Sequence, residues 1–136
     1  MSYKVIQKSI LSSDNKNTLS GVLYLPEGEI RGIFHLVHGM TEYIGRYEPL
    51  FESLANEGYI CCGFDNLGHG TTAKEDDLGF IASKNGWDYM VRDVKLFADS
   101  IKADYPNLPY ILMGHSMGSF ITRIAVSRYS DLADKY

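Results

Sequence analysis

Only two cysteines occur in the 136 residues, and they are neighbours, Cys61 and Cys62. Adjacent side chains of a strand point to opposite faces, so the pair cannot easily bridge, and reduced, buried thiols are expected. Long apolar runs are missing too. Met1-Ser2-Tyr3-Lys4 leads into alternating residues with no continuous apolar h-region. No later run could span a bilayer, so no transmembrane segment and a cytoplasmic location are expected. There is no basic excess: 13 Lys and Arg face 17 Asp and Glu, for a formal charge of −4. Lys4, Lys8, Arg31, Arg92 and Arg128 form no stripe that could track phosphates, which argues against nucleic acid as a partner. A glycine-rich phosphate loop and a metal-ligand spacing are also absent, so no cofactor or metal is expected. The most telling absence is histidine beyond residue 115: the four present are His35, His38, His69 and His115.

What is there has the balance of a soluble globular protein, 45% hydrophobic and 22% charged. The length suits one domain, yet complete α/β enzymes usually need on the order of 200–250 residues, so an incomplete domain is expected over 1–136. Internal repeats, low-complexity segments and interdomain linkers are not evident.

Residues 4–11 and 19–25 read as two strands of a hairpin, separated by a polar turn at 12–18. Residues 32–37 are nearly continuously apolar, as a central strand covered on both faces requires. Tyr47, Leu50, Phe51, Leu54 and Ala55 follow helical spacing, with Pro49 suited to a first turn and Gly58 to a C-terminal stop. Residues 59–64 form another short apolar strand, followed by Asp65-Asn66-Leu67-Gly68-His69-Gly70 and a polar stretch through Asp77. Met90, Val94, Phe97 and Ile101 mark one face of a helix over 87–104, closed by Pro106. A strand at 110–113 and a helix carrying Phe120, Ile121, Ile124, Ala125 and Arg128 complete the order: hairpin, then β-α-β-α-β-α. Alternating strands and helices predict an α/β fold with a parallel sheet flanked by helices on both faces.

Between the last strand and helix lies Gly114-His115-Ser116-Met117-Gly118. The bare G-x-S-x-G pattern turns up by chance in roughly one chain in twenty of this length. Its position after a strand and before a helix, with glycines where a side chain would crowd a tight turn, points to Ser116 as a nucleophile. A serine N-cap is the bland alternative, and it needs no flanking glycines. The backbone N–H of Met117 would face a developing oxyanion, and a second donor is expected from the loop after strand 32–37, with Met40 the candidate. His35 reads as a packed core residue. His115 adjoins Ser116 and cannot easily turn its ring onto that hydroxyl. His69 is the one upstream histidine with a claim to be a base, against a structural role in its turn.

Four blocks, His38-Gly39-Met40-Thr41-Glu42, Gly45-Arg46-Tyr47, Asp65-Asn66-Leu67-Gly68-His69-Gly70 and Gly114-His115-Ser116-Met117-Gly118-Ser119, resemble the α/β-hydrolase family of monoacylglycerol lipases and lysophospholipases. The likeness runs over nearly the whole chain. Tyr43 stands where members often carry histidine, and Leu67 where they often carry arginine. The resemblance implies a serine esterase that forms an acyl-enzyme on Ser116, with Met40 and Met117 as oxyanion donors and a small ester or monoacyl lipid as substrate. His38, Gly39, Glu42, Gly114, His115, Gly118, Asp65 and His69 would support that site. It also implies further strands, a cap, an aspartate and a histidine that cannot be placed in these 136 residues. Two other readings share the features: a non-catalytic binding module, and a related peptidase or acyltransferase. If the strand at 110–113 is the last, its edge lies bare, and the missing C-terminal half or a second copy is the expected cover. Residues 131–136 read as a polar surface connection.

Overall fold

A computed structural model describes residues 2–73, 78–82 and 84–136. The end of the polar stretch after residue 70, at 74–77, lies outside the described residues. Strand β1 (Tyr3–Gln7) pairs antiparallel with β4 (Gly21–Pro26), Tyr3 opposite Pro26 and Gln7 opposite Val22. The expected hairpin is therefore present, but each of its strands is broken. Short strands β2 (Ile10–Leu11) and β3 (Thr18–Leu19) form a separate two-stranded ladder. The break between β3 and β4 has a tertiary cause. The Ser20 N–H is taken by the Thr72 hydroxyl at 2.8 Å rather than by a partner strand. At Gly21 a Cβ would lie 2.3 Å from the Lys8 carbonyl oxygen and 2.7 Å from the Phe97 ring, so glycine alone lets the chain fold over there.

The main sheet has the order β1-β4-β6-β5-β7, with β5 (Gly32–Val37), β6 (Tyr59–Phe64) and β7 (Tyr110–Gly114) parallel and β4 antiparallel to β6. The parallel part matches the sequence reading; the hairpin makes the whole sheet mixed.

Alternation along the central strands assigns the two faces. Ile33 and Val37 of β5, with Ile60, Cys62 and Phe64 of β6, pack under α2 (Gly86–Asp104) and α3 (Met117–Arg128). Leu36 and Cys61 face the other way, toward Phe51 and Ala55 of α1 (Glu48–Asn56). A 3-10 turn, Ile44–Tyr47, leads into α1, and Gly58 at φ 96° ends it. Phe97 is fully buried against Phe64 and His35; truncating such a side chain to alanine costs about 3–5 kcal/mol. The two cysteines are free and buried, and burial pushes the Cys61 thiol up to about 12 and that of Cys62 higher still.

The C-terminal residues depart from the reading as a surface connection. Leu132 is buried in the α2/α3 core, and Lys135 pairs with Ile111 in a parallel bridge. The Leu112 N–H donates to the Lys135 carbonyl at 2.9 Å, and the Tyr110 N–H to Asp134 Oδ2 at 2.7 Å. The outer edge of β7 is thus partly paired rather than bare, because the polar side chain of Asp134 serves the strand backbone. Beside it Met113, Phe120, Ile124 and Tyr136 stay exposed.

Candidate active site

Strand β7 stops at Gly114 and α3 begins at Met117, so two residues make the whole turn. Ser116 adopts φ 55° and ψ −122°, a backbone state that side-chain-bearing residues occupy at a cost of about 1–3 kcal/mol. The flanking glycines make that turn possible. A Cβ on Gly114 would lie 2.3 Å from the Gly118 carbonyl oxygen, and one on Gly118 would lie 2.0 Å from that of Val37. Ser116 occupies the N-cap position of α3 but makes no side-chain capping bond, so the bland alternative does not describe it. Its carbonyl accepts the N–H and hydroxyl of Ser119, both at 2.8 Å, and its side chain is exposed.

The loop after β5 presses against this turn. A Cβ at Gly39 would sit 3.1 Å from Ser116 Cβ and 3.0 Å from the His115 carbonyl oxygen. Glu42 holds the loop's shape. Its carboxylate accepts the Gly39 N–H at 2.9 Å, a short hydrogen bond from the Tyr47 hydroxyl, and a contact from Arg46 at 3.3 Å, and lies 3.5 Å from His115 Nδ1. Burial alone would raise the Glu42 pKa. The Tyr47 hydroxyl and Gly39 N–H, helped by the Arg46 guanidinium beside it, outweigh that and hold it below the usual carboxylate value. Burial and the same carboxylate push the Tyr47 phenol up to about 12. Among the described residues, the backbone N–H groups of Met40 and Met117 have no hydrogen-bond partner; for Met117 this follows from its place in the first turn of α3.

His38 is fully buried beneath the loop. Its Nε2 accepts the Asn66 N–H at 2.9 Å, which leaves Nδ1 to donate to the Gly39 carbonyl at 2.7 Å. Burial lowers its pKa. Asp65 stitches the two loops: Oδ1 accepts the Ile44 N–H at 2.8 Å, Oδ2 accepts the N–H and hydroxyl of Thr71 at 3.0 Å, and its carbonyl accepts the Thr72 hydroxyl at 2.7 Å. His69 packs on His38 with ring centroids 5.3 Å apart, its Nδ1 3.0 Å from the Leu67 carbonyl.

The histidines therefore divide by what their nitrogens already do. His35 is a core residue, as expected, bonded to the Tyr110 hydroxyl at 2.7 Å, with burial lowering its pKa to about 3. Both nitrogens of His38 are engaged. His115 is exposed and turns Nδ1 toward Tyr47 at 3.2 Å and toward Glu42. No histidine hydrogen-bonds the Ser116 hydroxyl among the described residues. The structure brings Gly39, Glu42, His115, Ser116 and Gly118 together, and it sets Asp65 and His69 one loop further out. Two residues gained roles that sequence reasoning had not assigned. Tyr47 was read as an apolar helical position, but its hydroxyl serves Glu42 five residues earlier. Asn66 fixes the His38 tautomer, a role with no local sequence signal.

A sheet of parallel strands behind an antiparallel hairpin, with a serine at a strained strand-to-helix turn and a second loop pressed against it, is the α/β-hydrolase fold. The chain belongs to the serine aminopeptidase S33 family of α/β-hydrolases, whose match extends over residues 28–135. It is 35% identical over 96 residues to a monoglyceride lipase of Homo sapiens, which covers 71% of this chain and 30% of that protein. It is 34% identical over 99 residues to a monoglyceride lipase homolog of Monkeypox virus, covering 70% of this chain and 33% of that one. Among solved structures, the thermostable carboxyl esterase of Bacillus coagulans superposes with a TM-score of 0.88 at 28% identity, over 98% of this chain and 42% of the esterase. The chain spans about a third of the length of the curated relatives it matches. No described helix is long and apolar enough to cross a membrane.

Proposed function

We propose that these residues are the nucleophile-bearing part of a serine carboxylic-ester hydrolase acting on monoacyl lipids or similar small esters. The observation that carries the reading is the strained Ser116 backbone, held by two glycines that tolerate no side chain, with the Gly39 loop in contact with it. Ser116 Oγ attacks the ester carbonyl, a base takes its proton, and the N–H groups of Met40 and Met117 receive the oxyanion. Collapse of that intermediate releases the alcohol, which regains the proton, and water then cleaves the acyl-enzyme. Glu42, by accepting the Gly39 N–H, keeps the Met40 peptide oriented for its part. The names of the similar proteins, monoglyceride lipases and a carboxyl esterase, support ester rather than amide chemistry. An aminopeptidase must also hold a substrate ammonium, and the Glu42 oxygens are already engaged by Gly39, Tyr47 and Arg46.

The base lies outside these 136 residues, and so does the carboxylate that would orient it; the domain is incomplete and needs the rest of the fold as its partner. Without that base Ser116 stays protonated, and the isolated chain turns over little or no ester. The test is p-nitrophenyl butyrate hydrolysis by the chain and by its Ser116→Ala variant. Rates that do not differ are expected; Ser116-dependent turnover at the rate of an intact hydrolase would overturn the reading.

A further inference from the structure

A cavity of about 550 Å³ opens between the loop after β5 and the loop after β6. Because β5 lies between β6 and β7, this cavity and Ser116 are on opposite sides of the loop that carries Met40. Both sit at the carboxyl ends of parallel strands, where open α/β sheets bind ligands. The cavity is open to solvent, with Met40, Tyr43 and Leu78 more than half exposed; they and Ile81 supply its apolar walls, and among the described lining residues His69 has a ring nitrogen to spare. His69 lines the cavity and is only 7% exposed. Its Nδ1 is spent on the Leu67 carbonyl, which makes Nε2 an acceptor, and Nε2 has no partner among the described residues while not being sealed in protein. A nearly buried acceptor facing an apolar cavity calls for a donor.

The rest of the lining selects which donor. Thr41 already spends its hydroxyl proton on the Met40 carbonyl at 2.6 Å, so it too offers lone pairs. No lysine or arginine is among the described lining residues, and the Glu42 carboxylate adds negative charge. Among the described lining residues, phosphate and carboxylate groups find no counterpart. We infer that the cavity is a binding site for a neutral alcohol, its hydroxyl donating to His69 Nε2 and its alkyl part lying against Met40, Leu78 and Ile81. The site goes beyond the ester reading, because binding there requires neither Ser116 nor a base. For an esterase it is where a released or incoming alcohol would wait.

The test uses the 136-residue chain carrying Ser116→Ala, which separates binding from reaction. 1-Hexanol is titrated against the methyl NMR signals of Met40, Leu78 and Ile81, with sodium hexanoate at pH 7.5 as the anionic counterpart. Hexanol should shift these signals saturably and hexanoate should not. His69→Phe should weaken hexanol about tenfold, as expected for one hydrogen bond to a buried acceptor. Since that variant also loses the Leu67 contact, Ile81→Trp fills the cavity from the opposite wall and should remove hexanol binding with His69 intact. Equal binding of hexanoate, unchanged affinity in both variants, or no saturable shift would each overturn the site. None of these outcomes bears on Ser116, whose reactivity is tested separately.

Discussion

Gly118→Ala sets helix propensity against sterics, and the structure decides the sign. Residue 118 lies in the first turn of α3, where alanine is ordinarily better than glycine by up to about 1 kcal/mol. The added methyl, however, would lie 2.0 Å from the Val37 carbonyl oxygen, and 2.7 Å from both the Val37 carbonyl carbon and the His38 carbonyl oxygen. These are backbone atoms of β5 and its following loop, so no side chain can rotate away. Relief requires α3 to slide outward or the loop after β5 to move. Overpacking of this kind costs about 3 kcal/mol at the upper end of its usual range, which leaves a net loss of about 2 kcal/mol after the propensity gain. For a chain of this size that is a fall in Tm of about 6–10 °C. Thermal denaturation followed by circular dichroism reads it directly. An unchanged or higher Tm would show that α3 and β5 are not packed this closely, and the contact between the Ser116 turn and the Gly39 loop would fall with it.

Ser116→Gly should raise stability by about 1 kcal/mol, because glycine occupies φ 55° without the side-chain cost. Urea denaturation checks this, and a loss of stability would mean the Ser116 side chain is a structural contact. Stability should fall on acidification between about pH 6.5 and pH 5, because the buried His35, with a pKa near 3, must stay neutral in the fold while its unfolded counterpart binds a proton at the ordinary value. Burial lowers His38 in the same direction. Each such group contributes up to about 1.4 kcal/mol per pH unit below its unfolded pKa, and a flat urea midpoint from pH 7 to pH 5 would contradict it. Asp93 accepts the Ser12 hydroxyl at 2.9 Å, and the Ser13 N–H and hydroxyl both at 2.7 Å, so it ties the β2–β3 ladder to α2. Asp93→Ala should cost about 2–3 kcal/mol by stranding these donors, with limited proteolysis reporting new cleavage near residues 12–17; resistance equal to that of the parent chain would refute the tie.

How much of this was legible depended on how far each determinant lies from the residue it controls. The Ser116 turn could be read because Gly114 and Gly118 are two residues away on either side. The central place of β5 could be read because burial on both sides leaves a nearly continuous apolar run. The break between β3 and β4 could not, since it depends on a hydroxyl at Thr72, 52 residues beyond Ser20. The docking of Leu132 and the Lys135 bridge were hidden among charged neighbours whose polarity pointed to solvent. Within the site, Glu42 could be placed in its loop by sequence, but its partners Tyr47 and His115 come from a 3-10 turn and from the end of β7. Tyr47 in particular sits at a helical apolar spacing that masks a polar job. His69 had a nominal claim to be the base, and the structure ties its Nδ1 to its own loop.

The central claim is that Ser116 is a nucleophile whose proton acceptor comes from outside these residues. Fluorophosphonate labelling of the chain, with the modified peptide mapped by mass spectrometry, tests it most directly when imidazole is added as a substitute base. The account predicts slow labelling alone, a rate that rises with imidazole concentration, modification confined to Ser116, and none in Ser116→Ala. Rapid labelling without imidazole, or labelling that persists in Ser116→Ala, would contradict it.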